Sequence, residues 1–217
     1  MTQPALDIRS LSVNHGAVTA LRGARFTARS GEITALIGAN GAGKSSLLRA
    51  IIGLVASVGD ILLEGESITH LATEDRIRAG LALVPEGRRV FPGLTVADNL
   101  LVGSLGGRRE RQHSIDEVYA LFPPLAERAS DRAWQLSGGQ QQMLAIGRAF
   151  MARPRVFLLD EPSLGLSPRI THDVAESLRA LAAKGAAVVI GEQNLGFVKP
   201  IADQTITLRN GLVMSPA

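Results

Sequence analysis

The chain has 217 residues, 46% hydrophobic and 20% charged, enough for one packed domain and too apolar for a disordered chain. It contains no cysteine, which excludes disulfides, thiolate metal sites and cysteine nucleophiles. Net charge is only +3, three of the basic residues are lysines (Lys44, Lys184, Lys199) and aromatics are 4%; the basic stripe with interleaved aromatics that nucleic-acid binding needs is missing, so no nucleic-acid partner is expected. The longest stretch free of acidic and basic residues, Ala133 to Gly147, is 15 residues long and polar in its middle, too short and too wet for a membrane span. The opening Met-Thr-Gln-Pro-Ala-Leu-Asp lacks a basic n-region and an apolar h-region, so no secretory leader is expected and a cytoplasmic location is the default.

In chain order, Leu6, Ile8, Leu11 and Val13 alternate with polar residues as in a half-buried strand, and Val18 to Ala28 continues in extended form. Ile33 to Ile37 is a short buried strand that runs through the glycine loop Gly38 to Gly43 into a helix over Ser45 to Ile52, closed by Gly53. Ile61-Leu62-Leu63 followed by Glu64-Gly65 is hairpin material. Thr73 to Ala79 forms a short helix stopped by Gly80, and Leu81 to Val84 forms a strand. From about Val90 to Met151 the pattern turns helical, with capping-box spacing at Thr95/Asp98 and at Ser114/Glu117. Its last helix spans Gln140 to Ala152, before Pro154. Val156 to Leu159 is a buried strand, Ser167-Pro168 starts a helix that Gly185 ends, Ala187 to Ile190 is a strand, and Asn210-Gly211 closes a terminal hairpin. These signals predict an α/β core with an antiparallel β subdomain and an inserted helical subdomain. Residues 1–89 and 152–217 form the core and about 90–151 the insertion, all within one domain spanning 1–217.

Three motifs carry chemistry. Gly38-Ala39-Asn40-Gly41-Ala42-Gly43-Lys44-Ser45, followed by Ser46, fits the phosphate loop G-x-x-x-x-G-K-[ST] between a strand and a helix. Glycines let backbone N–H groups converge on phosphate oxygens, and the helix start favours their charge. Lys44 is expected on the β- and γ-phosphates and Ser45 on Mg2+. Val156 to Asp160 ends in a second carboxylate, Glu161, at the carboxyl edge of the sheet where α/β ligands bind. Asp160 suits the Mg2+ shell and Glu161 a base that polarises water. Leu136-Ser137-Gly138-Gly139-Gln140 is a further helix start 20 residues before Asp160, hence a second anion site. Two such sites in one chain suit a head-to-tail pair of chains in which each nucleotide touches one site from each.

In this order the three motifs resemble the ATP-binding subunits of ABC transporters, and the resemblance covers essentially the whole chain. Val84 to Phe91, Gln140 to Ala149, Asp160 to Leu166 and Glu192-Gln193-Asn194 are similar to the branched-chain amino acid importer branch. The resemblance implies a P-loop (RecA-like) ATPase using ATP and Mg2+. It implies docking on membrane permease subunits at the cytoplasmic face and pairing with a second, identical or merely similar ATPase. A periplasmic binding protein would deliver the solute; urea, amides or another small solute are alternatives. Within the same loop architecture, a non-transport ABC ATPase acting on nucleic acid or the ribosome would need coiled-coil arms or tandem cassettes. A small-molecule kinase would leave Leu136 to Gln140 unexplained.

At three positions the chain departs from the general family pattern. His15 stands where an aromatic usually stacks on adenine, with less area to offer. Glu86 stands where most members carry a glutamine near the γ-phosphate and Mg2+; a carboxylate still suits that metal. Gln193 stands at the position of the switch histidine, where it can donate a hydrogen bond to phosphate but cannot relay a proton. The resemblance therefore leaves Glu161 as base, with Gln193 positioning. The segment Glu86 to Phe91 leads toward the helical insertion and is expected either to report nucleotide state to a partner or to leave Phe91 simply in the core.

Overall fold

A computed structural model describes residues 3–214 of the protein. Met1, Thr2 and residues 215–217 lie outside it, and with them the first residues of the leader reading above. Strands β1 (Leu6–His15) and β2 (Val18–Ala28) pair antiparallel, and β4 (Val58–Leu63) pairs with the other edge of β1, Leu6 opposite Leu63. With β5 (Glu66–Ser67) they make a four-stranded sheet in the order β2-β1-β4-β5. Glu64 (φ 48°) and Gly65 (φ 84°) both take the left-handed conformation that a two-residue hairpin turn requires.

The second sheet has six strands. From edge to edge they are β10 (Leu212–Met214), β9 (Gln204–Arg209), β3 (Ile33–Ile37), β8 (Ala187–Glu192), β7 (Val156–Asp160) and β6 (Leu81–Val84). All neighbours from β9 to β6 are parallel; β10 folds back across Asn210-Gly211. Both faces of this sheet are covered. Phe157, Leu159, Val188 and Ile190 point into a core shared with the helices, whereas Leu158 and Val189 point into a core shared with β1, β2 and α1 (Lys44–Ile52). Burial on both faces explains why β7 and β8 show apolar runs without alternation.

Between β6 and β7 the chain forms α3 (Val96–Val102), α4 (Arg108–Leu121), α5 (Pro123–Ala126) and α6 (Gly138–Phe150); α2 (Thr73–Ala79) precedes β6. α7 (Pro168–Ala183) and the short α8 (Leu195–Val198) flank β8. Thr95 caps α3 as its spacing predicts, its hydroxyl accepting from Asp98 N–H (3.0 Å). The capping box expected at Ser114 and Glu117 is absent. α4 starts seven residues earlier, where the Glu110 carboxylate accepts from Gly107 N–H (2.7 Å), and buried Ser114 instead accepts from Arg153 Nε (2.9 Å). Spacing alone could not tell a helix start from a mid-helix serine with a tertiary partner.

One buried side chain fixes the far end of α1. The Arg76 guanidinium donates to Ala50 O and Ile51 O (2.9 Å each), Leu71 O (3.0 Å) and Thr69 O (2.6 Å). It therefore satisfies carbonyls that a helix end leaves open, and its burial lowers its pKa.

Candidate functional site

The loop between β3 and α1 is shaped by what its glycines touch. A Cβ on Gly38 would stand 2.5 Å from Leu208 O, and one on Gly43, at φ 108°, would stand 2.7 Å from Ala20 O. No side chain fits at either place. Ala42 N–H closes a turn onto Ala39 O (3.0 Å) and Leu47 N–H starts the helical ladder onto Gly43 O (2.9 Å). Among the described residues, the amides of Gly43, Lys44, Ser45 and Ser46 between them have no backbone acceptor, leaving donors free for an anion. Lys44 is buried. Its ammonium donates to Gly38 O (2.7 Å) and Ala39 O (3.3 Å) and pairs with Glu161 Oε1 at 3.0 Å.

The carboxylates meet this loop from the end of β7, one strand beyond β8. Asp160, 2% exposed, accepts from the Ser45 hydroxyl at 2.9 Å. Burial pushes its carboxyl above the usual range, and Glu86 and Glu161 push the same way; the Ser45 hydrogen bond and Arg49 oppose them. Glu161 takes the left-handed conformation (φ 49°), and its N–H donates to Gly191 O (2.8 Å). Asn40, Gly41, Gly43, Lys44, Ser45 and Ser46 line one side of a cleft of about 390 Å3; Glu86, Glu161 and Gln193 line the other. A hydroxyl beside a single buried carboxylate, with Glu86 facing them, fits a hard divalent ion that draws its remaining ligands from phosphate and water. It does not suit an all-protein metal cage, and no cluster of three metal-ligating side chains occurs among the described residues.

Two further groups do not line this cleft: the Ser137 to Gln140 run, expected on the nucleotide of a second chain, and His15. Ser137, Gly138, Gly139 and Gln140 form the start of α6, closed by a reciprocal capping box. The Ser137 hydroxyl accepts from Gln140 N–H (3.3 Å) and Gln140 Oε1 accepts from Ser137 N–H (3.0 Å). The N–H groups of Ser137 and Gln140 are thus used within the motif. His15 ends β1, and its Nε2 lies 3.0 Å from the Ser46 hydroxyl, which ties it to the start of α1 at the edge of the site.

The family model for the ABC transporter matches residues 21–164, two-thirds of the chain and both halves of the cleft. The chain belongs to the ABC transporter family. That family binds ATP, and its ATP-binding members are ATPases. The chain is 44% identical over 160 residues to the high-affinity branched-chain amino acid transport ATP-binding protein BraG of Pseudomonas aeruginosa, a match covering 73% of this chain and 69% of that one. It is 32% identical to the glutamine transport ATP-binding protein GlnQ of Escherichia coli, covering 71% and 66%. Among solved structures, the ADP conformation of the ATP-binding cassette MJ1267 superposes with a TM-score of 0.90 at 26% identity, covering 99% of this chain and 91% of that one.

Within this ABC chain, the sequence reading missed Arg76 and Asn99, and it named Glu192 only as part of a run, not for what it holds. Arg76 is described above. Asn99, fully buried on α3, accepts from Phe91 N–H (2.8 Å) and donates to Phe91 O (3.0 Å), so it pins the loop that follows Glu86. Glu192 ends β8 beside Gln193 and holds three backbone amides. No pattern shows what the three hold, because their partners are far away in sequence or are backbone atoms. Phe91 is 45% exposed, which removes the core alternative; the Arg148 guanidinium lies 5.0 Å above its ring and donates to Arg89 O (2.7 Å). Phe91, Leu54, Val102 and Leu105 edge an apolar groove of about 500 Å3 between α1, α3 and α6. No helix among the described residues is long and apolar enough to cross a membrane.

Proposed function

We propose that this chain is the ATP-hydrolysing subunit of an importer for branched-chain or related amino acids, working on permease subunits at the cytoplasmic face of the membrane. One observation carries the catalytic part. Lys44, Ser45, Glu86, Glu161 and Gln193 share a single cleft, with Ser45 on Asp160 at 2.9 Å and Lys44 on Glu161 at 3.0 Å. The likeness to BraG supports the solute class.

In this reading the amides from Gly43 to Ser46 wrap the phosphates and Lys44 offsets charge on the β- and γ-oxygens. Ser45, Asp160 and Glu86 would hold Mg2+, which when bound neutralises charge developing on the phosphates. Glu161, 3.0 Å from the Lys44 ammonium, accepts the proton of the attacking water. Gln193 donates to a γ-phosphate oxygen. Ser137 to Gln140 of a second subunit, identical or related, complete the site from across a head-to-tail dimer through the amides of Gly138 and Gly139. His15 offers its ring to the base. The groove under Phe91 receives a permease helix, and a periplasmic binding protein supplies the solute beyond it. Residues 90–151 act as the helical arm of the core formed by 1–89 and 152–217.

Glu161→Gln preserves shape but removes the proton acceptor. It is expected to bind Mg-ATP, to lose phosphate release by at least about 100-fold, and to elute as a dimer with ATP. Phosphate release at the wild-type rate would remove Glu161 from this role. Uptake of leucine, isoleucine or valine, against urea and short amides, in vesicles carrying the permease complex tests the solute.

A further inference from the structure

Glu192 is a buried acid that the proposed reaction does not use. It is 1% exposed and makes no ion pair among the described residues. Both carboxylate oxygens are occupied by backbone. Oε1 accepts from Ser163 N–H (2.9 Å), and Oε2 accepts from Gln193 N–H and Asn194 N–H (3.0 Å each). Its own carbonyl accepts from Gly38 N–H (3.3 Å) at the first glycine of the phosphate loop. An anion buried without a countercation is expensive, and an apolar residue would fill the space at less cost. Charge-assisted bonds to three amides offset that cost, and their arrangement shows what they hold. Ser163 lies two residues after Glu161, in a turn whose Leu164 N–H donates to Glu161 O (3.2 Å), while Gln193 belongs to the segment after β8. One carboxylate thus bridges the turn that carries the base and the backbone that carries the phosphate-facing amide.

We propose that Glu192 is a positioning residue that locks Glu161 and Gln193 at a fixed separation along one wall of the cleft. The inference rests on the ATPase reading above. It separates placement from binding: the phosphate loop contacts nucleotide through its own amides and Lys44, so loosening Glu192 leaves the ground state held and misplaces groups needed only in the transition state. Glu192→Gln keeps the volume but turns one oxygen into an NH2 group that faces an N–H donor. Either Ser163 or the Gln193/Asn194 pair loses its acceptor, and the bridge is broken at one end.

The test is phosphate release and ATP titration on the purified full chain, wild type against Glu192→Gln, with active protein counted by ATP-binding stoichiometry. The expected result is a fall in kcat of about 10- to 100-fold, the usual effect of removing a residue that orients a reacting group, with Kd for ATP within about twofold. In a Glu192→Gln, Gln193→Ala double variant the losses should fall short of multiplying, because the second change removes part of what the first misplaces. If Glu192→Gln does not fold, Glu192→Asp, which keeps the charge but is too short to reach both loops, is read the same way. A kcat loss less than about fivefold greater than the weakening of ATP binding, or losses that multiply fully, overturns the inference. Absence of phosphate release from wild type itself would instead refute the ATPase reading beneath it.

Discussion

Arg76→Met isolates the helix-end contact from everything at the cleft. Methionine retains an unbranched apolar stem and removes all five guanidinium N–H donors. Four carbonyls lose a partner, two of them, Ala50 O and Ile51 O, in buried surroundings. Ala50 O keeps a second donor in Gly53 N–H (3.1 Å), whereas Ile51 O has no other donor among the described residues. A bond from a charged group to a buried acceptor contributes about 1.5–3 kcal/mol, so two such bonds set an upper range of roughly 3–6 kcal/mol. Relief from burying the unpaired cation, the same burial that lowers the Arg76 pKa, returns part of it. The net expectation is a loss of about 2–4 kcal/mol, or a fall in Tm of roughly 5–15 °C for a chain of this size, read by scanning calorimetry. Arg76→Lys should fall between, since an ammonium cannot span four carbonyls. ATP affinity should hold within about twofold, because Lys44 sits at the opposite end of a nine-residue helix. A Tm within about 2 °C of wild type would mean that water reaches these carbonyls and that Gly53 and Leu54 cap α1 sufficiently; the reasoning from buried acceptors would then be wrong.

Asp160→Asn removes a buried charge whose pKa is raised in the folded protein, so its contribution to stability is full below the unfolded value and is lost as pH rises through the folded one. The variant should be more stable by about 0.5–2 kcal/mol at pH 7.5 and less so at pH 4, while losing ATP turnover; equal Tm differences at both pH values would contradict this. Lys44→Ala should weaken ATP binding by at least about tenfold by titration calorimetry, whereas Ser137→Arg should spare binding by the isolated subunit and abolish hydrolysis; a Ser137→Arg protein with normal turnover would exclude the head-to-tail site. Arg89→Glu, on the loop beside the apolar groove, should leave basal ATPase within about twofold and cut permease-stimulated ATPase by about tenfold or more; equal loss of both would detach the groove from coupling.

How far the sequence carried depended on whether the controlling interaction was local. The run from Ile33 through Gly38 to Ile52 was legible because strand, glycine loop and helix start are adjacent and obey local rules, as were the left-handed turns at Glu64-Gly65 and Asn210-Gly211. The carboxylates at the end of β7 were legible from one apolar run and its terminus. Convergence of Gln193 on the same cleft followed from parallel strands ending at one edge. Ser114 misled because its partner is Arg153, 39 residues away, and Ser167 begins α7 without its hydroxyl capping it. The contacts of Glu192 and Arg76 were invisible because both side chains hold backbone atoms, and backbone atoms leave no trace in residue identity.

In the proposed reaction, the conformation of Glu161 sets activity against robustness. At φ 49° an L-residue with a Cβ carries strain of about 1 kcal/mol or more, and a glycine there would carry none. Selection for heat resistance alone would therefore favour changes at Glu161 that release this strain while leaving buried Lys44 a partner, whether or not they keep the proposed proton acceptor. A library screened by survival at high temperature should be counter-screened for phosphate release, or its best survivors will be dead enzymes.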